Sequence, residues 1–230
     1  MTAATDTILI TGGTSGIGRA LAEKFHAQGH RVIATGRRRA LLDTLEETCP
    51  GLVGLELDVS DPGAVQSFAS DVLRRFPELN VLINNAGISR PERLTGPDVD
   101  VELSRSIIQT NILGVIQMTA ALLPALQMRP HASVITTTSG LAFVPRAAYP
   151  TYCATKAFLH SWILSLRTQL RGTSVEVLEL APPYVQTELA GSHQASDPAA
   201  MPLADYVDEA LRQAERTGGY DVAYAALNAG

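Results

Sequence analysis

Thr7-Ile-Leu-Ile-Thr-Gly-Gly-Thr-Ser-Gly-Ile-Gly18 passes from an apolar β-rich run through a glycine-rich turn into a helical pattern that continues to about Gln28. A strand that hands over directly to a helix leaves the first amide hydrogens of that helix without partners, at the positive end of its dipole. Such a terminus binds phosphate. Gly12, Gly16 and Gly18 have no Cβ to hold a pyrophosphate away from the backbone, and Thr14, Ser15 and Ile17 lie between them in the same cradle. A glycine-rich turn with no ligand is the simpler alternative, but its place between the first strand and the first helix favours a dinucleotide site. The spacing departs from the usual GxGxxG fingerprint.

Outward from this stretch the same alternation repeats. Apolar runs at Arg31–Thr35, Val53–Leu57, Val81–Ile83, Ser133–Thr137 and Val175–Leu180 are separated by helical patterns at about 38–48, 62–76, 99–128 and 149–170. Asp61-Pro62 reads as an N-cap and first helical position. Continuous apolar strands fit a parallel sheet covered on both faces, so the fold class is α/β: a doubly wound, Rossmann-like parallel sheet, in one domain over residues 1–230. The last forty-odd residues carry loop prolines, a helix at about 203–217 and a short strand near Tyr220–Tyr224.

Composition narrows the function. The chain is 46% hydrophobic and 18% charged with a formal net charge of −5, which fits a globular protein and argues against a nucleic-acid partner. The start MTAATDTILI lacks a secretion signal and no run of about twenty apolar residues suggests a membrane span, so a cytoplasmic protein is expected. Cys49 and Cys153 form neither a disulfide framework nor a metal-ligand spacing.

The second strand normally ends in an acid that takes the adenosine ribose 2′-hydroxyl of NAD, but here it ends Ala34-Thr35-Gly36-Arg37-Arg38. A 2′-phosphate would meet guanidinium groups, so NADP(H) is expected over NAD(H). Asp58, before Val59, stands where a carboxylate can accept the adenine amino group, and Asn84-Asn85-Ala86-Gly87 offers small residues and amides for close cofactor approach. Asp58 as a turn residue, and Arg39 as a solvated helix start, remain the plain alternatives.

Tyr152-Cys-Ala-Thr-Lys156 places a phenol and an ammonium on one helix face, with Ser139 upstream. A free tyrosine has a pKa of about 10, and a neighbouring cation lowers it towards use as a base.

With TGGTSGIG, Asp58, NNAG, Asn111, Ser139 and YCATK in this order, the chain resembles the short-chain dehydrogenase/reductase family over about residues 5 to 190. The family's TGxxxGxG accounts for the glycine spacing. The resemblance implies an oxidoreductase that interconverts a carbonyl and an alcohol. Tyr152 would be proton donor or base, Ser139 would bind the substrate oxygen, and Lys156 would bind the nicotinamide ribose and lower the Tyr152 pKa. Asn111 would support a water-mediated proton path. Pro182, Val185 and Thr187 match the nicotinamide-contacting segment, although Pro183 replaces the family glycine and removes an amide donor.

The pocket walls are expected at 88–97, between Ser139 and Tyr152, and in a lid at about 188–202. Leu141, Phe143, Val144, Tyr149 and Tyr184 suggest an apolar or aromatic carbonyl compound, with Phe143 and Tyr149 open to a core or dimer role. Arg90, Arg93 and Arg146 could meet an anionic substrate or simply be solvated. His193 reads as a surface residue. The family implies a homodimer or homotetramer through the helices of Asn111 and Tyr152; Phe158, Trp162 and Leu166 form a stripe suited to that or to the core. The alternative classes are a nucleotide-binding regulatory protein without turnover, against which the complete Asn, Ser, Tyr, Lys set speaks, and a reductase whose substrate a partner protein presents.

Overall fold

Each face of the sheet is set by alternation within its strands. In β1 (Thr7–Ile10), Ile8 and Ile10 join a core with Leu21 and Phe25, while Leu9 points into the opposite core with Val72, Met118 and Ile163. Burying one such side chain contributes about 1.5–3 kcal/mol, so a slip of one residue in register would exchange two cores at once. The computed structural model describes residues 5–95 and 98–217.

Five further strands, β2 (Arg31–Gly36), β3 (Val53–Glu56), β4 (Val81–Asn84), β5 (Ala132–Thr137) and β6 (Val175–Leu180), complete one parallel sheet in the order β3-β2-β1-β4-β5-β6. Order reverses between β1 and β4. The helices are α1 (Gly16–Ala27), α2 (Arg39–Thr48), α3 (Pro62–Arg75), α4 (Val101–Ile108), α5 (Gly114–Leu126), α6 (Pro150–Gln169), α7 (Ser192–Ala195) and α8 (Leu203–Thr217). Leu21 and Phe25 of α1 share their core with Val207 and Leu211 of α8; residues of α3, α5 and α6 fill the other. The fold is therefore the doubly wound α/β class, helices on both faces.

Asp61 caps α3 as expected, its carboxylate accepting from Gly63 N at 2.8 Å and Ala64 N at 3.1 Å. The long helix expected at 99–128 differs. It runs as α4, a π-helical stretch over Gln109–Leu113, and α5. A Cβ on Gly114 would lie 2.9 Å from the Val59 carbonyl oxygen, so glycine lets this helix sit against the end of the third strand. By length and composition Val101–Leu126 would suit a membrane span, but it packs on α3, α6 and β4. The apolar stripe on α6 divides: Leu166 is core, Trp162 packs at the core edge, and Phe158 is exposed. The short strand expected near Tyr220–Tyr224 lies outside the described residues.

Candidate active site

Where strand order reverses, the carboxyl ends of the strands open into a cleft of about 330 Å³. Its glycine wall needs glycine for two reasons. Gly12 and Gly16 have φ of 67° and 53°, in the left-handed region. A Cβ on Gly12 would also lie 2.8 Å from Ala86 Cα, and one on Gly18 would lie 2.3 Å from both Asn85 Nδ2 and Gly12 O. Gly18 is thus buried behind the cleft, allowing α1 to close on the turn, whereas Gly12, Thr14, Ser15, Gly16 and Ile17 line it. Ser15 stands at the N-cap of α1 with no side-chain capping hydrogen bond, and the first amide bonded back into the helix is that of Arg19. The preceding amides form the donor set that a pyrophosphate fits.

Asn85 and Ala86 are tied to this turn, and Gly87 lines the cleft after them. The Asn85 carboxamide donates to Thr11 O and Gly12 O, both at 3.2 Å, and the Thr11 hydroxyl accepts from Asn85 N at 3.0 Å and Ala86 N at 3.1 Å. At the end of β2, a Cβ on Gly36 would meet Thr14 Cγ2 at 2.6 Å, so Thr14 helps to exclude an acid from this position. Arg37 and Arg38 line the cleft; Arg37 is 4.0 Å from Asp58 Oδ2, and Arg38 donates to Ser15 Oγ at 3.4 Å. Burial pushes the Asp58 carboxyl up, but the Ser60 hydroxyl and amide and the Arg37 guanidinium together hold it below the ordinary value. Val59 lines the cleft beside it. Arg39 instead joins Asp43, Gly54 O and Glu46, and belongs to the start of α2.

At the other end, Tyr152 and Lys156 project from one face of α6 into the cleft, both at most 5% exposed. The expected lowering of the phenol pKa by the lysine is opposed here by desolvation. Lys156 Nζ donates to Thr137 O at 2.7 Å and lies 5.7 Å from the Tyr152 ring centroid. Burial pushes the phenol up to about 12, with the Ser139 side chain pulling the other way, and pushes Lys156 down to about 8. Helical spacing aligned the two residues; desolvation, which spacing does not report, sets the direction.

Ser139 faces Tyr152 from behind the cleft lining, and its hydroxyl also accepts from Leu141 N at 3.1 Å, capping a short 3₁₀ turn, Gly140–Ala142. Asn111, fully buried in the π-helical stretch, accepts from Ile88 N at 2.9 Å and donates to Ile88 O at 3.0 Å and Thr155 Oγ1 at 3.2 Å. Its carboxamide ties the loop after β4 to α6.

After β6, Pro182 and Thr187 line the cleft, but the Val185 side chain packs in the core and its backbone bridges to Met201. The segment 188–202 is not structureless, as its loop residues suggested. It contains α7, whose buried Gln194 donates to Val185 O at 2.7 Å and Thr187 Oγ1 at 3.2 Å and accepts from Ala190 N at 3.0 Å. His193 is exposed. Phe143 packs edge-on against His160, with centroids 4.7 Å apart. Ile88, Glu188 and Leu189 line the cleft from the walls expected at 88–97 and 188–202, whereas Leu57, Thr110 and Thr138, ordinary residues next to motifs, were not singled out by the sequence. No group of His, Cys, Asp and Glu suited to a metal occurs among the described residues.

The profile of the short chain dehydrogenase family matches residues 6–198. The uncharacterized oxidoreductase DltE of Bacillus subtilis (strain 168) is 42% identical over 184 residues, 80% of this chain and 73% of the relative. The NADP-dependent 3-hydroxy acid dehydrogenase YdfG of Shigella flexneri is 36% identical over 179 residues, 77% and 72% of the two chains. Among solved structures, the closed form of serine dehydrogenase complexed with NADP+ superposes with a TM-score of 0.81 at 32% identity, covering 91% of this chain and 88% of that one.

Proposed function

Since the chain belongs to the short-chain dehydrogenase family, we propose that it is an NADP(H)-dependent oxidoreductase interconverting a carbonyl and an alcohol, with Tyr152 as acid and base. One observation carries this reading: the phosphate cradle and the buried Tyr152 and Lys156 line two ends of a single cleft, with Ser139 set against Tyr152.

The amides of Gly16, Ile17 and Gly18 would hold the pyrophosphate, Arg37 and Arg38 the 2′-phosphate, and Asp58 the adenine, with Val59 and the Asn85-Ala86-Gly87 turn beside it. Lys156 would bind the nicotinamide ribose, and Pro182, Val185 (through its backbone) and Thr187 would flank the ring. Bound dinucleotide supplies or accepts a hydride.

With its pKa raised to about 12, the Tyr152 phenol is protonated at neutral pH and suited to donate to an oxygen developing negative charge. Ser139 would hold that oxygen. Lys156, lowered to about 8, still carries its proton for the most part at pH 7 and favours phenolate when the alcohol is oxidised. Asn111 fixes the Ile88 loop against α6, alongside its expected part in a proton path. Burial of these groups excludes water and strengthens each interaction.

Similarity to an NADP-dependent 3-hydroxy acid dehydrogenase and to a serine dehydrogenase complexed with NADP+ supports both the cofactor choice and a hydroxyl-bearing substrate. We infer a cytoplasmic homo-oligomer, supported by the exposed Val101, Ile108, Phe158 and Leu164 on α4 and α6, and a substrate lid at 188–202. A panel of carbonyl compounds and alcohols followed by NADPH absorbance tests the reading. Turnover with NADPH, and tighter binding of NADPH than NADH by fluorescence titration, is expected; consumption with no compound, or equal binding, would overturn it.

A further inference from the structure

Four cations line the cleft among the described residues: Arg37, Arg38, Lys156 and Arg90. The first two follow β2, at the end assigned to adenosine, and Lys156 bonds to Thr137 O. Arg90 is left for the substrate end. Its Nη1 donates to Ser89 O at 2.8 Å and to Leu189 O at 3.4 Å, so the guanidinium reaches across from the loop after β4 to the segment after Thr187. Both partners are neutral carbonyls, and among the described residues no carboxylate lies within ion-pair distance of it. A guanidinium presents five donors in a fixed fork, and two carbonyl contacts from one nitrogen leave the rest of that fork for an anion.

The loop that bears Arg90 is anchored to the catalytic helix. Two residues on, Glu92 Oε1 accepts from Thr151 Oγ1 at 2.7 Å and Ser104 Oγ at 2.6 Å, and Oε2 accepts from Thr151 N at 3.0 Å. Glu92 N donates to Ala148 O at 2.9 Å, joining the second pocket wall to the first. Thr151 immediately precedes Tyr152. The carboxylate thereby satisfies an orphan amide at the start of α6 and fixes the Arg90 loop relative to the phenol.

From this arrangement we infer that Arg90 is the anion-recognising residue of the substrate subsite and that the substrate is a hydroxy acid, or the matching oxo acid, held by its carboxylate while its oxygen meets Tyr152. The inference rests on the carbonyl–alcohol reading above. It replaces the apolar or aromatic substrate suggested by the wall residues with a charged one. Arg90 contributes specificity by charge, whereas Glu92 acts through position.

The test needs no turnover. Binding of 3-hydroxybutanoate and of its methyl ester is measured by calorimetry on the protein saturated with NADPH, a combination that cannot react. The acid is expected to bind the wild type more tightly than the ester. Arg90→Met should weaken the acid by about tenfold to a hundredfold while moving the ester by less than about threefold, with Arg90→Lys between, as expected for loss of a charge-assisted pair. NADPH affinity should be unchanged in both variants, which shows that they are folded. Equal loss for acid and ester, no loss for the acid, or no binding of the acid to the wild type would overturn the inference. Acid binding that depends on Arg90 in a protein that never turns over would instead overturn the oxidoreductase reading and leave the anion subsite standing.

Discussion

The two ends of the cleft are built differently. At the dinucleotide end, the geometry comes from backbone: glycines at positive φ, a helix start, and close approaches of main chain to main chain. At the catalytic end, it comes from side chains buried by elements distant in sequence, with Lys156 bonded to β5, Asn111 to the Ile88 loop, and Glu92 to α6. Backbone shape survives the loss of one functional group. A site made of desolvated side chains does not.

The sharpest break between the ends is expected from Tyr152→Phe. Removing the phenol oxygen should lower turnover by roughly 10²–10⁴-fold, while NADPH affinity by fluorescence stays within about threefold. Loss of both together would show that the ends are not separable. Gly18→Ala attacks the other end. With its Cβ placed 2.3 Å from Gly12 O, it should cost about 1–3 kcal/mol in urea unfolding and weaken NADPH binding, because the clash falls on backbone that cannot swing away. Unchanged stability and binding would count against the tight closure of α1 on the turn.

A smaller effect is expected from Arg37→Ser. It should reduce the preference for NADPH over NADH by about tenfold, leaving NADH affinity unaltered, since only the 2′-phosphate loses a charged donor. A preference that does not move would return Arg37 to the solvent.

The last comparison is of pH dependence. The folded Lys156 pKa of about 8 is depressed, so between there and its ordinary value near 10.5 the unfolded chain binds more protons, and stability should rise with pH across that window. Tyr152 acts with the opposite sign: its folded value of about 12 exceeds the ordinary 10.0, so stability should fall as pH climbs from 10 towards 12. Urea unfolding of wild type and Lys156→Met between pH 7 and about 10 should show the alkaline rise in the wild type alone.

The same division explains what the sequence made legible. Strand and helix order, the glycine cradle, the missing acid at Gly36 and the Asp61 cap are local signals, and all appear in the structure. Three features involve tertiary contacts that no local pattern reports. Gly114, which packs close on Val59, follows the π-helical stretch around Asn111; Val185 is buried in the core and bridged to Met201; Gln194 anchors α7 through partners at 185, 187 and 190. The Tyr152–Lys156 spacing was readable, but its electrostatics were not, because burial outweighs proximity.

Isotope transfer tests the central claim most directly. The protein is incubated with NADPH deuterated at the transferable position and with 3-oxobutanoate among a set of carbonyl compounds, and the products are analysed by mass spectrometry and NMR. Deuterium on the carbon that bears the new hydroxyl, formed by the wild type and absent with Tyr152→Phe, is the expected result. NADPH that binds but delivers no deuterium to any product would contradict the account and leave a dinucleotide-binding protein without turnover.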